Sequence, residues 1–218
     1  MCFSAEASFV AAGITGSIGV AAICLTKSPR EMLLAATPLF FAVQQSIEGL
    51  LWLNLPLAPN GSMSLTLTVL FQFLAEVWWP VYAPLAVLLV EPGETRRRYM
   101  RFCLAIGLGV AAYLFWGIVS RPHGASIQDG HIVYAKEYKD SYVLALAYLA
   151  ATCLPLVLSS LRKIVILGTI ILVGSVIAYF SYWEAFVSVW CFFAAAASAV
   201  ILFHCESERR LHLRLSAT

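Results

Sequence analysis

Residues Gln72–Tyr82 read QFLAEVWWPVY, and residues Gln44–Trp52 read QQSIEGLLW. Each stretch sits inside a long apolar run and places one carboxylate there, Glu76 in the first and Glu48 in the second. An acid at the centre of a membrane helix costs about 3 kcal/mol on insertion scales, so acids kept at such positions mark functional sites more often than not. The apolar runs decide the fold, and the two acids locate its candidate site.

The runs around these stretches are about twenty residues long, the length that crosses a bilayer as a helix. Hydrophobic residues make up 61% of the 218-residue chain and charged residues 12%. A soluble domain carries roughly 25% charge, which excludes that class. The net charge of +2 supplies no field for a polyanion, so nucleic acid is not an expected partner. The bilayer is.

Seven spans can be drawn: Phe9–Leu25, Met32–Leu53, Ser64–Val90, Phe102–Val119, Ser141–Leu161, Ile164–Phe180 and Phe186–His204. The expected fold class is therefore an all-α membrane bundle forming a single domain over residues 1–218. The start MCFSAEASF lacks a basic lead and carries Glu6, so the first run reads as a retained helix. Its Gly13, Gly16, Ser17 and Gly19 allow a neighbouring helix to approach closely. Pro80 and Pro84 should interrupt the third span, and EPGETRRRYMR reads as a basic loop after it. In the one sizeable loop, 121–140, Ile127–Tyr134 has the pattern of a hairpin turning at Asp129-Gly130.

Orientation follows from counting cations. Lys27, Arg30, Arg96, Arg97, Arg98, Arg101, Arg162, Lys163, Arg209, Arg210 and Arg214 fall on one side of an alternating seven-span chain, and Arg121, Lys136 and Lys139 on the other. Positive loops stay in the cytoplasm, which puts the C-terminus inside and the N-terminus and hairpin outside.

The second and third spans run in opposite directions across a short turn, so Glu48 and Thr68 should lie at similar depth, then Gln45 and Gln72, with Glu76 deepest. Phe41, Gln45, Glu48 and Trp52 share one helical face, as do Thr68, Gln72, Glu76 and Trp79. Meeting faces would form a polar ladder open to the outer side, with Glu48, Glu76, Gln45 and Gln72 as ligands and Trp79 and Tyr82 as walls. Pro80 cannot donate to the carbonyl four residues back, that of Glu76, so the acid should sit beside a kink with a free acceptor. Such broken helices build cation sites in transporters. A Glu held neutral by a Gln or an indole would instead be a packing device.

A weaker candidate lies at the N-terminus. With Met1 removed, Cys2 would present a thiol and an amine, and together with Glu6 could hold a soft metal. The alternative is that Ser4 caps the first helix, with Glu6 favouring its dipole. The six cysteines show no CxxC spacing, and all four histidines lie in loops, at a span end or in the tail. That pattern offers no intramembrane haem or zinc site. No particular cofactor follows from the sequence.

The segments MCFSAEASF, PLFFAVQQSIEGLLW and EVWWPVYAPLAV resemble a family of uncharacterised bacterial multi-pass membrane proteins whose members open with an MCFSA-x-ASF stretch. The resemblance implies a bacterial inner-membrane protein with Cys2, Gln45, Glu48, Glu76 and Pro80 in its characteristic segments, and it carries no activity. Three functional readings follow: binding or transport of a proton, metal cation or small cationic solute; a membrane enzyme, metal-dependent or not, acting on a lipid-like substrate; and a non-catalytic subunit of an oligomer or larger complex.

Overall fold

The computed structural model describes residues 4–120, 124–128, 130–134, 142–181 and 197–210. These form helices α1 (Ala5–Leu25), α2 (Met32–Asn54), α3 (Ser62–Gln72), a π-helical turn (Phe73–Trp78), α4 (Trp79–Val90), α5 (Glu94–Ser120), α6 (Tyr142–Val157) and α7 (Arg162–Ser181). An eighth, α8, covers 197–210. A hairpin of β1 (Ala125–Gln128) and β2 (His131–Tyr134) separates α5 from α6.

Among the described residues, three helices are long and apolar enough to cross a membrane: Ala5–Leu25, the continuous Ser62–Val90 and Glu94–Ser120. Helix α2 has 23 residues but carries Gln44, Gln45, Ser46 and Glu48. The polar stripe that makes it interesting is what dilutes its hydropathy. The outer faces are apolar, and the inside holds a set of polar groups within its apolar core. Phe102 and Trp116 are 67% and 72% exposed, whereas Gln44, Gln45, Glu48, Thr68, Gln72 and Glu76 are all buried. Large exposed apolar surface marks contact with lipid or partner rather than water.

From α1 to α7, neighbouring helices pack against one another, joined by short turns except where the hairpin segment links α5 to α6. The most extensive pairing is α1 on α2, and glycine allows it. A Cβ at Gly19 would come within 2.7 Å of the Leu39 side chain and 2.9 Å of its backbone nitrogen. The α1–α2, α4–α5 and α6–α7 turns lie at one end. There Glu91, just past α4, accepts hydrogen bonds from the Ser159 hydroxyl (2.8 Å), the Ser160 N–H (2.9 Å) and the Ser160 hydroxyl, tying two turns together. The hairpin lies at the opposite end. Its strands pair with Gln128 opposite His131 and Ile127 opposite Ile132, and Gly130 adopts the left-handed φ of 75° that the two-residue connection requires.

Several boundaries differ from expectation. The basic segment is no loop: α5 starts at Glu94, with Arg97 3.5 Å from Glu94 and Arg101 also paired to it, so ion pairs along the helix offset part of the charge. Pro84 does not interrupt α4, which continues to Val90. Pro80 leaves its mark upstream, as the π turn. Helix α8 runs to 210, beyond the His204 expected to end the last span. Residues 182–196, which hold most of that span, lie outside the described residues.

Candidate functional site

The stripe on α2 and the stripe on α3 and the π turn are both turned inward. Glu48 is fully buried and Glu76 is 5% exposed. On α2, the three-residue spacing lets the Gln45 amide nitrogen donate to a Glu48 carboxylate oxygen at 3.2 Å. On α3, Thr68 returns its hydroxyl to the Ser64 carbonyl at 2.8 Å, neutralising itself locally. Gln72 does neither. It is 1% exposed, and neither its amide oxygen nor its nitrogen has a hydrogen-bond partner. The second amide atom of Gln45, its oxygen, and the indole N–H of Trp52 are likewise buried without partners.

Leaving a buried polar group unpaired costs about 1–3 kcal/mol, and native proteins keep few such groups. Here several fall on one pair of helices, beside two acids. Amide oxygens and carboxylates are hard oxygen ligands, suited to a proton or an oxygen-liganded cation. The unpaired N–H groups of Gln72 and Trp52 ask for an acceptor, which water around such a cation would provide.

Glu76 occupies the π turn. In an α-helix each carbonyl accepts from the N–H four residues on, and in a π-helix from the one five residues on. For Ala75 the fifth residue is Pro80, which has no N–H. The Tyr148 hydroxyl of α6 donates to the Ala75 carbonyl instead. The proline effect expected at the Glu76 carbonyl therefore also reaches its neighbour, because the wide turn moves the register by one. From the other side, α5 presses on the same spot: a Cβ at Gly107 would lie 1.8 Å from the Pro80 carbonyl oxygen.

Trp79 and Tyr82 stand elsewhere than the expected walls of the polar ladder. They line an apolar cavity of about 40 Å³ together with Phe41, Leu156, Leu167 and Ile201. Trp79 stacks on Phe41 at 4.1 Å between centroids, and Tyr82 donates its hydroxyl to the Leu33 carbonyl. The Trp79 indole N–H donates to the Gln44 side-chain oxygen at 2.8 Å, linking this cavity to the polar stripe of α2. Gln44 is a residue that sequence reasoning passed over. It lies three residues after Phe41 and four before Glu48, so a stripe drawn through both i+3 and i+4 neighbours would have included it.

The hairpin covers the end of the site. Ile132 is fully buried, and Tyr134 lies parallel to Phe71 with centroids 4.7 Å apart. Both join Leu51, Leu55, Leu67 and Ala75 in an apolar cluster. Leu51 is three residues from Glu48 and Phe71 adjoins Gln72, so this cluster separates the buried polar groups from the hairpin end of the bundle.

At the N-terminus, Ser4 accepts from the Ala7 N–H at 3.2 Å, and Glu6 is exposed in the first turn of α1. This is the capping arrangement. Cys2 lies outside the described residues. Among the described residues no group of three or more His, Cys, Asp or Glu side chains is placed to hold a metal ion.

Residues 1–216 match the model of a family of unknown function (DUF6629). No curated protein and no solved structure matches the chain.

Proposed function

We propose that this chain, which belongs to that family of unknown function, is a seven-span protein of a bacterial inner membrane that binds or carries a proton or a small cation. The N-terminus lies outside and the C-terminus in the cytoplasm. The ligand enters from the hairpin side and is held by Glu48, Glu76, Gln45 and Gln72. The observation that carries this reading is the Gln72 amide, buried with both polar atoms unpaired in a helix that also contributes Glu76. A side chain kept only for packing at that position would be apolar. Oxygen donors alone favour a proton or a hard cation over a soft metal. The hairpin cluster lies across the entry route, so uptake requires the Tyr134–Phe71 stack to part.

The test is ligand-dependent thermal stabilisation of the purified protein, across pH and a series of alkali and alkaline-earth cations. A ligand at 100 times its Kd stabilises by about 2.7 kcal/mol, well within detection. The wild type should show such a shift, and Glu76→Gln and Gln72→Leu should lose it. Without ligand, Gln72→Leu should melt at or above the wild-type temperature, because an orphaned buried amide has been removed. A shift of the same size in wild type and Glu76→Gln would sink the proposal.

A further inference from the structure

We infer that Tyr148 is a positioning residue for Glu76: its hydroxyl, donated to the Ala75 carbonyl, holds the π turn in place and with it the direction in which the acid points. The inference takes from the proposed function only that Glu76 is the ligand-binding acid.

Three observations converge. The π turn spans Phe73–Trp78, with Glu76 inside it. In that register the Ala75 carbonyl would need an N–H from Pro80, which proline lacks. Tyr148 of α6, seventy-three residues on, provides the missing donor. Meanwhile α5 fixes the proline itself. The missing side chain of Gly107 lets its backbone lie against the Pro80 carbonyl, and a Cβ placed on Gly107 would also lie 3.4 Å from the Ala151 Cβ of α6. The turn is therefore gripped by two helices, one through a hydrogen bond and the other through close packing.

The register matters because of what it turns. A π turn adds one residue to the helix, and each residue is about 100° of rotation. Were the turn to relax to α, the stripe on α3 and the residues after the turn would rotate against each other by about that angle. Glu76 lies at this joint. It cannot keep its relation to both Gln72 and Trp79 unless the wide turn persists.

Because the missing donor belongs to proline, the inference predicts a specific non-additivity. Pro80→Ala restores a backbone N–H that can reach the Ala75 carbonyl, making Tyr148 dispensable. Full-length protein in detergent is melted as wild type, Tyr148→Phe, Pro80→Ala and the double variant. In parallel, the infrared carboxyl or carboxylate band of Glu76 is identified by its loss in Glu76→Gln.

Tyr148→Phe should lower the melting temperature by about 2–4 °C, the effect of one hydrogen bond in a chain of this size, and should shift the Glu76 band. Adding Pro80→Ala should return both to the wild-type position. Additive losses, or a Glu76 band that Tyr148→Phe leaves unmoved, would overturn the inference. Should Tyr148→Phe fail to fold, the double variant decides: folded with a wild-type band supports the inference, unfolded refutes it. These readouts need no ligand. A failed cation screen with an intact cycle would reject the proposed function and leave Tyr148's role standing.

Discussion

Glu91 shows how a single charge can be buried without being a site. It is 1% exposed, yet both oxygens are taken up by Ser159, the Ser160 N–H and hydroxyl, and the Gly93 N–H at 3.3 Å. Burial pushes its carboxyl up, and the donors from Ser160, Ser159 and Gly93 outweigh that and hold it below its ordinary value of 4.5. A folded-state pKa below the unfolded one gives stability that is present above pH 4.5 and lost as pH falls through the folded value. Glu91→Ala should cost about 1–3 kcal/mol near neutral pH, since the serine donors lose their acceptor. The gap in melting temperature between wild type and Glu91→Gln should close as the pH is lowered from 5 toward 3; a gap independent of pH would contradict the ionised latch. Gln72 is the opposite case, buried with nothing to bond. The sequence distinguishes the two poorly. Gln45 and Glu48 are legible as partners because three residues of helix separate them. Glu91 looked like the first residue of a loop, and nothing local foretells that a turn sixty-eight residues on supplies its donors.

At the level of elements, glycine and proline decide how closely the helices meet around the site. Gly107 and Gly109 are one turn's fraction apart on α5 and make a controlled comparison. A Cβ at Gly107 would overlap the Pro80 carbonyl at 1.8 Å, whereas nothing lies within 4 Å of one at Gly109. Gly107→Ala must push α5 off α4, at roughly 1–3 kcal/mol. Gly109→Ala should be neutral or stabilising by up to about 1 kcal/mol, through helix propensity alone. Equal melting temperatures for the two variants would mean that the close approach at Pro80 does not hold in the folded protein. Element types were largely readable beforehand, because apolar runs of this length have few alternatives. The hairpin was readable from two residues, Asp129-Gly130, since only a left-handed turn residue closes that connection. The π turn was not. A proline announces a disturbed helix, but whether it answers with a kink, a break or a wide turn depends on donors from other helices, here Tyr148. The start of α5 was missed for a related reason: once the chain is helical, Arg97 and Arg101 come within reach of Glu94, which offsets part of the segment's positive charge.

For the whole molecule, the polar site has a direction, and that direction rests on topology. The hydrogen bonds from Ser159 and Ser160 to Glu91 draw the α4–α5 and α6–α7 turns to one end, beside the arginines that open α5 and Arg162 and Lys163 that open α7. The hairpin packs at the other end, on Leu51, Leu55 and Phe71. Clustering of the cations at one end is what the positive-inside rule converts into an orientation. If that end is cytoplasmic, the buried acids open toward the outside when the hairpin moves, and a ligand would be captured from there. Reporter fusions check this directly in a bacterial host. Green fluorescent protein at the C-terminus should fluoresce, alkaline phosphatase at the same position should be inactive, and alkaline phosphatase inserted at Asp129-Gly130 should be active. The reverse pattern would put the hairpin in the cytoplasm. The same Glu48, Gln72 and Glu76 would then face the cell interior, and a protein built to take up a cation from outside would become one built to release it. The side chains would be unchanged in that case, so on the proposed reading the direction of uptake depends on how the cations are divided between the two sides rather than on the acids in the middle.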